Sequence, residues 1–169
     1  GGPGGPVDRL LVEGRADRAE AMLERLAGLF PGRLYVELQR HGLTEEDRVE
    51  GALVELAYGL DLPLVATNEA YFTEAGMFEA HDALICVAEG AFVSQSERRR
   101  LTPEHRFKSP EEMTALFEDL PEAINNTIVI ARRCAYRPPL REPILPPYES
   151  AEGRDEGLEL TAQAEAGLE

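Results

Sequence analysis

Bases are scarce in this sequence. Its 169 residues hold 17 Lys+Arg against 32 Asp+Glu, a formal net charge of −15. A self-contained nucleic-acid module neutralises phosphates with a basic face, so this balance excludes one. A domain carried within a larger nucleic-acid enzyme remains compatible with it. Cysteine is nearly absent: Cys86 and Cys134 stand far apart with no CxxC. That excludes a disulfide scaffold and a cysteine zinc ribbon. Two buried thiols in a reducing, cytoplasmic setting are the expectation. No apolar run approaches the roughly 18 residues of a membrane helix, and no signal-peptide pattern opens the chain. No membrane is therefore among the expected partners. GxxxxGK[ST], GxGxxG, HExxH and GxSxG are all missing, so nothing supports a self-contained phosphate loop, a metalloprotease or a serine hydrolase.

What is present suits a folded domain. Apolar residues make up 43% and charged residues 29% of the chain, which argues against wholesale disorder. The opening Gly1-Gly2-Pro3-Gly4-Gly5-Pro6 reads as a loop, and with the missing Met suggests a piece of something longer. Leu10, Leu11, Ala19, Met22, Leu23, Leu26 and Leu29 form a helical apolar set, interrupted at Gly14 and stopped at Pro31-Gly32. Leu34–Leu38 reads as a strand. Thr44 is placed to cap the next helix, whose stripe is Val49, Leu53, Leu56, Ala57 and Leu60. Leu64–Thr67 reads as a second strand. Strand, helix and strand at this spacing make a βαβ unit with parallel strands.

That unit directs attention to two loops, because sites in parallel α/β folds form beyond the carboxyl ends of the strands. They are Gln39–Gly42 and Asn68–Phe72. A helix at about 74–88 follows, with Met77, His81, Leu84, Ile85 and Ala88 on one face. Residues 89–108 read as an excursion without long regular structure. Ser109-Pro110-Glu111-Glu112 is a helix start with a capping box. Pro121 starts a further helix, with Ile124, Thr127, Ile128, Ala131 and Cys134 on one face. The prolines of 137–148 mark a linker or extended strap.

His41, just past a strand end, is a candidate metal ligand or base; the alternative is a loop histidine beside a turn glycine. His81, on an apolar face, reads as a core histidine with its hydrogen bonds satisfied. His105 reads as exposed. Glu69 and Tyr71 can aim at one point. A carboxylate suits a divalent cation, whereas a tyrosine phenol is a poor ligand at neutral pH. Arg98, Arg99, Arg100, Arg106 and Lys108 crowd into eleven residues. They are candidate contacts to phosphate or an acidic partner, or else a solvated loop that offsets the acidic surface.

Several stretches, in order, resemble the C-family of bacterial replicative DNA polymerases, the alpha subunits of DNA polymerase III. They are Arg33–Gly42, Leu62–Phe72, Glu79–Leu84, Lys108–Met113, Leu120–Thr127 and Ile130–Cys134. The resemblance implies an α/β fold: part of a distorted, parallel β/α barrel of the PHP type, followed by helices and the proline-rich strap. It implies three regions: 1–136 from the carboxyl-terminal part of the PHP domain, 137–148 as linker, and 149–169 at the start of the palm. Family members that hold metals have an Asp-x-His pair where Glu69 and Tyr71 stand, so these are degenerate metal-site positions. The other ligands mostly precede Gly1, and the palm's catalytic aspartates lie beyond Glu169.

The resemblance further implies a DNA-directed DNA polymerase, a nucleotidyltransferase, as parent chain, with Mg as its cofactor and template-primer DNA as its substrate. Its expected partners are a proofreading exonuclease subunit and a sliding clamp. For the segment itself no cofactor is expected; Zn or Mn belongs only to an intact metal site. A structural and docking role is expected. The alternatives are an active metallo-phosphoesterase or an intrinsic 3′–5′ exonuclease, with Glu69 and His41 among the ligands, and a free-standing acidic α/β domain.

Overall fold

A computed structural model describes residues 2, 4–144, 153 and 155–168. The expected strap residues 145–148 and the first residues of the 149–169 region lie outside the described set. The chain divides into two compact units, Gly1–Ala135 and Tyr136–Glu169. In the second unit the described helix is α7, Glu156–Ala166, capped by the Asp155 carboxylate on the Gly157 N–H.

The first unit is a βαβ core wrapped by helices. Helix α1 (Pro6–Val12) starts with proline at a position where no N–H is needed. It turns at Gly14, whose φ of +71° suits glycine. Helix α2 (Ala16–Leu29) follows and buries Ala19 and Leu23. Strand β1 (Val36–Leu38) runs parallel to β2 (Leu64–Ala66), with Val36 opposite Leu64 and Leu38 opposite Ala66. Helix α3 (Thr44–Gly59) joins them and buries Val49, Leu53 and Ala57, the expected stripe. The parallel βαβ reading therefore holds. Among the described residues the sheet has two strands and is not closed.

Each strand is shorter than the sequence suggested, three residues against five and four. The pairing continues past β2 all the same, since the Thr67 N–H donates to the Leu38 carbonyl at 3.0 Å. Thr44 does not cap α3; it is the first helical residue. The cap is Glu46, whose carboxylate reaches back to the Leu43 N–H at 3.3 Å. This is the back-reaching half of a capping box; the other half, a side-chain acceptor for the first-turn N–H groups, is absent because Leu43 has none to offer.

Two helical faces are rotated from expectation. Helix α4 (Phe78–Glu89) is entered through a 3₁₀ turn at Ala75–Met77. It buries Asp82, Ile85 and Cys86, while Met77 and Leu84 face outward. An aspartate sits inside because Arg98 meets it there. Helix α6 (Pro121–Arg133) buries Ala123 and half-buries Ile124, Thr127 and Ile130; Ile128, Ala131 and Cys134 are exposed. The small Ala123 lets α6 lie close against β2, and the Asn126 amide donates to the Leu64 carbonyl at 2.7 Å. Cys134 is thus not a buried thiol, whereas Cys86 is. Helix α5 (Pro110–Leu116) begins as expected: the Ser109 N–H donates to Glu112 at 2.8 Å, and Ser109 Oγ accepts from the Glu112 N–H at 3.3 Å.

Arg40, two residues after β1, binds these layers together. Its guanidinium donates twice to Glu50 of α3, at 2.9 and 2.6 Å, and twice to Asp119, at 2.7 and 2.8 Å. It also donates to the Leu116 carbonyl at 2.6 Å and lies 4.5 Å from the centre of the fully buried Phe117 ring. Bidentate pairing and stacking both exploit the planar fork that lysine lacks. Arg40→Lys is expected to lower stability by about 1–2 kcal/mol in urea unfolding, and Arg40→Met by more, because two carboxylates lose their donor. An unchanged urea midpoint for Arg40→Met would show that the network contributes nothing.

Candidate functional site

The two loops at the carboxyl ends of the strands meet a third segment, residues 98–108. Gly42, with φ of +73°, turns the first loop and leaves His41 pointing inward, 1% exposed. Glu46 holds this histidine twice: Oε2 accepts from its backbone N–H at 2.6 Å, and Oε1 lies 2.7 Å from Nδ1. His41 Nε2 accepts from the Glu69 N–H at 3.3 Å. An imidazole that accepts at Nε2 carries its proton at Nδ1, so Nδ1–H donates to the Glu46 carboxylate.

His105 stacks on His41. The ring centres are 4.0 Å apart and the planes 14° from parallel. His105 is 3% exposed, the opposite of the exposed loop residue expected. Its Nδ1 accepts from the Thr102 N–H at 3.2 Å, and Thr102 Oγ1 donates to the His41 carbonyl at 2.7 Å. Burial, with the neighbouring His41 second, pushes the His105 pKa down.

Tyr71 completes the arrangement. Its hydroxyl donates to Glu69 Oε1 at 2.6 Å, and its ring centre lies 6.0 Å from His105 and 5.6 Å from His81. The hydrogen bond to Glu69 pushes the phenol pKa up, so the proton stays on tyrosine. All three histidines of the chain therefore belong to one ring cluster. His81 is half-buried rather than fully core, and its Nδ1 has no hydrogen-bond partner; the expectation of a satisfied core histidine does not hold.

The segment carrying His105 is tied down along its length. The Tyr71 N–H donates to the His105 carbonyl at 2.9 Å and the Phe107 N–H to the Phe72 carbonyl at 2.8 Å. The Asn68 amide donates to the Arg106 carbonyl at 2.8 Å and accepts from the buried Lys108 Nζ at 3.1 Å; Nζ also donates to the Glu104 carbonyl. Arg98 grips Asp82 with two bonds of 2.6 Å and holds that carboxyl below the usual aspartate range. Arg106 binds Glu112 at 2.7 Å; this, with the Ser109 N–H, lowers the Glu112 pKa to about 2. Of the five bases singled out, Arg98, Arg106 and Lys108 thus meet internal acceptors. Arg99 and Arg100 face solvent, Arg100 Nε lying 4.0 Å from Asp82.

Glu69 and Tyr71 do come together, the phenol donating to the carboxylate. The donor is a phenol that keeps its proton, and among the described residues no three His, Cys, Asp or Glu side chains converge to hold an ion. Beside the carboxyl end of β1 lies a small cavity of about 20 Å³ lined by Asp8, Glu37, Glu46 and Glu50, among others. Burial pushes the Asp8 carboxyl pKa up.

Comparison with known proteins decides the family. Over 168 residues, 99% of the chain, the sequence is 54% identical to DNA polymerase III subunit alpha of Caulobacter vibrioides. The chain is homologous to a segment of that subunit. It is also 38% identical over 150 residues to the alpha subunit of Pseudomonas aeruginosa, and 37% over 146 residues to that of Rickettsia prowazekii. The chain spans 15%, 13% and 12% of these three alpha subunits. No model of a protein family matches it. Among the described residues no helix is long and apolar enough to cross a membrane.

Sequence reasoning singled out Glu69, Tyr71 and His41 but missed Glu46, Thr102 and the burial of His105. Glu46 carried a signal: an acid in the first turn of a helix, five residues after a loop histidine. His105 carried none, because its partner lies sixty-four residues away in sequence. The lowered His105 pKa sets a pH window. The folded state prefers the neutral ring, so its contribution is complete above the ordinary histidine pKa of about 6.5. It falls as pH drops below that value. The thermal midpoint is therefore expected to decline on acidification from pH 7.5 to 5.5, and His105→Gln to flatten the decline. A parallel decline in the variant would show that His105 is not its source.

Proposed function

We propose that the chain is a non-catalytic structural and docking segment of a replicative DNA polymerase alpha subunit. The parent polypeptide is a DNA-directed DNA polymerase, acting on template-primer DNA with Mg in the cytoplasm. The segment takes the place of the carboxyl-terminal part of a PHP-type β/α barrel, a linker and the start of the palm. The parallel βαβ core supports the barrel reading, because parallel strands with a helical crossover are its repeating unit. The observation that carries the docking role is the Glu69–Tyr71 pair, in which a phenol that keeps its proton, a poor metal ligand, stands beside the carboxylate and donates to its Oε1. A barrel without a metal keeps its surface for partners, and the proofreading exonuclease subunit is the partner this family implies; the sliding clamp belongs to the same assembly. Arg99 and Arg100 remain available to such a partner or to phosphate.

The competing reading is an active metallo-phosphoesterase or an intrinsic exonuclease. Metal-assisted hydrolysis takes several convergent ligands and an activated water. Elemental analysis of the full-length alpha subunit after exhaustive dialysis separates the two. Zinc and manganese near zero in the wild type are expected, together with exonuclease binding that survives chelation. The double variant Glu69→Asp, Tyr71→His frees the carboxylate and supplies an imidazole, and it is expected to take up more metal than the wild type. Stoichiometric metal in the wild type would overturn the docking reading in favour of hydrolysis.

A further inference from the structure

Helix α4 has apolar residues on both of its sides. Ile85 and Cys86 face inward. On the outside, Ala80, Leu84, Val87 and Ala88 follow each other at i, i+4, i+7 and i+8, the spacing of one helical stripe. Leu84 is 62% and Val87 79% exposed, and the stripe runs on into Phe92 at 71% and Val93 at 59%. A helix that is apolar all round is ordinarily buried. Exposed apolar residues standing singly need no explanation, but a contiguous row of large ones does.

We propose that this face is a permanent contact for another segment of the alpha-subunit polypeptide, one outside the 169 residues, apolar at its centre and basic at its rim. The inference rests on the reading of the chain as an alpha-subunit segment. Three observations select this occupant. From Ala75 to Glu97 there is no Lys or Arg; the exposed charges there are Glu79, Glu89 and Glu97, with Glu74 just before, and of the arginines that follow Arg98 is paired with Asp82 while Arg99 and Arg100 are exposed. A second copy would bring the same acids face to face, on chains that each carry −15, and like charges suppress such pairing. A separately diffusing partner is also a poor match, because the surfaces of non-obligate partners are about as polar as the rest of a protein, whereas permanent contacts resemble a core cut in half. Finally, the relative that matches 99% of this chain is matched over 15% of its own length. An alpha subunit therefore offers ample polypeptide to cover the row, at the high effective concentration of an intramolecular contact.

The test uses the full-length alpha subunit alone, with p-benzoylphenylalanine introduced at Val87 and irradiated. Mass spectrometry is expected to find an intramolecular cross-link to a peptide outside the segment, with Lys or Arg flanking its apolar residues. Hydrogen exchange of the unmodified protein is expected to protect the amides of 84–93. A cross-linked species of twice the mass, a cross-link confined to the 169 residues, or no cross-link with rapid exchange at 84–93 would each overturn the proposal. Primer extension by the same preparation reports separately on the polymerase reading. A preparation that extends primers but leaves position 87 free would sink the contact while keeping the family.

Discussion

The guanidinium of Arg40 is the point on which the arrangement turns. It stands two residues past a three-residue strand, where so short a sheet offers little backbone pairing to hold it. Two carboxylates, a carbonyl and the face of Phe117 fix it there. One of those carboxylates belongs to the crossover helix and the other follows α5. A single planar cation thereby sets the distance between the βαβ core and the last helices of the unit. His41 is the next residue, so the geometry of the ring cluster follows from the same anchor. Had lysine stood here, a point charge on a flexible stem could not have set both directions.

The ring cluster shows how an acidic protein can hold a polar interior. Buried imidazoles are tolerable when neutral and hydrogen-bonded. His41 meets both conditions through Glu46 and the Glu69 N–H, and His105 through Thr102. The phenol of Tyr71 caps the arrangement and engages Glu69. The carboxyl end of the strands, where α/β proteins ordinarily receive ligands, is filled by the protein's own side chains and by the segment that carries Arg98 and Lys108. Those contacts tie both strand ends to the segment 98–108 and fix the loops there in place.

Much of this was legible beforehand. The βαβ unit, the stripe of α3 and the capping box at Ser109 were readable because each is local: periodicity and capping act within a few residues. The rotated faces of α4 and α6 were not, because their orientation is decided by partners elsewhere. Asp82 turns inward only because Arg98 arrives sixteen residues later, and Ala123 only because β2 offers a surface for close approach. Thr44 misled for a related reason. A hydroxyl near a helix start is a good cap in general, but a better acceptor, Glu46, stood two residues on and was already held by His41. The arginine-rich run was read as a surface feature, whereas three of the five bases spend their charge on neighbours.

Lys108 gives the surface a chemical character of its own. It is the sole lysine in the sequence, and it is buried against Asn68 and Glu104. Every positive side chain exposed on this segment is therefore an arginine, permanently charged and without a nucleophilic amine. Acylation, ubiquitin transfer and amine-directed labelling find no accessible side chain among these residues. The segment can present charge to a partner or to phosphate while staying silent to the enzymes and reagents that read proteins through their lysines.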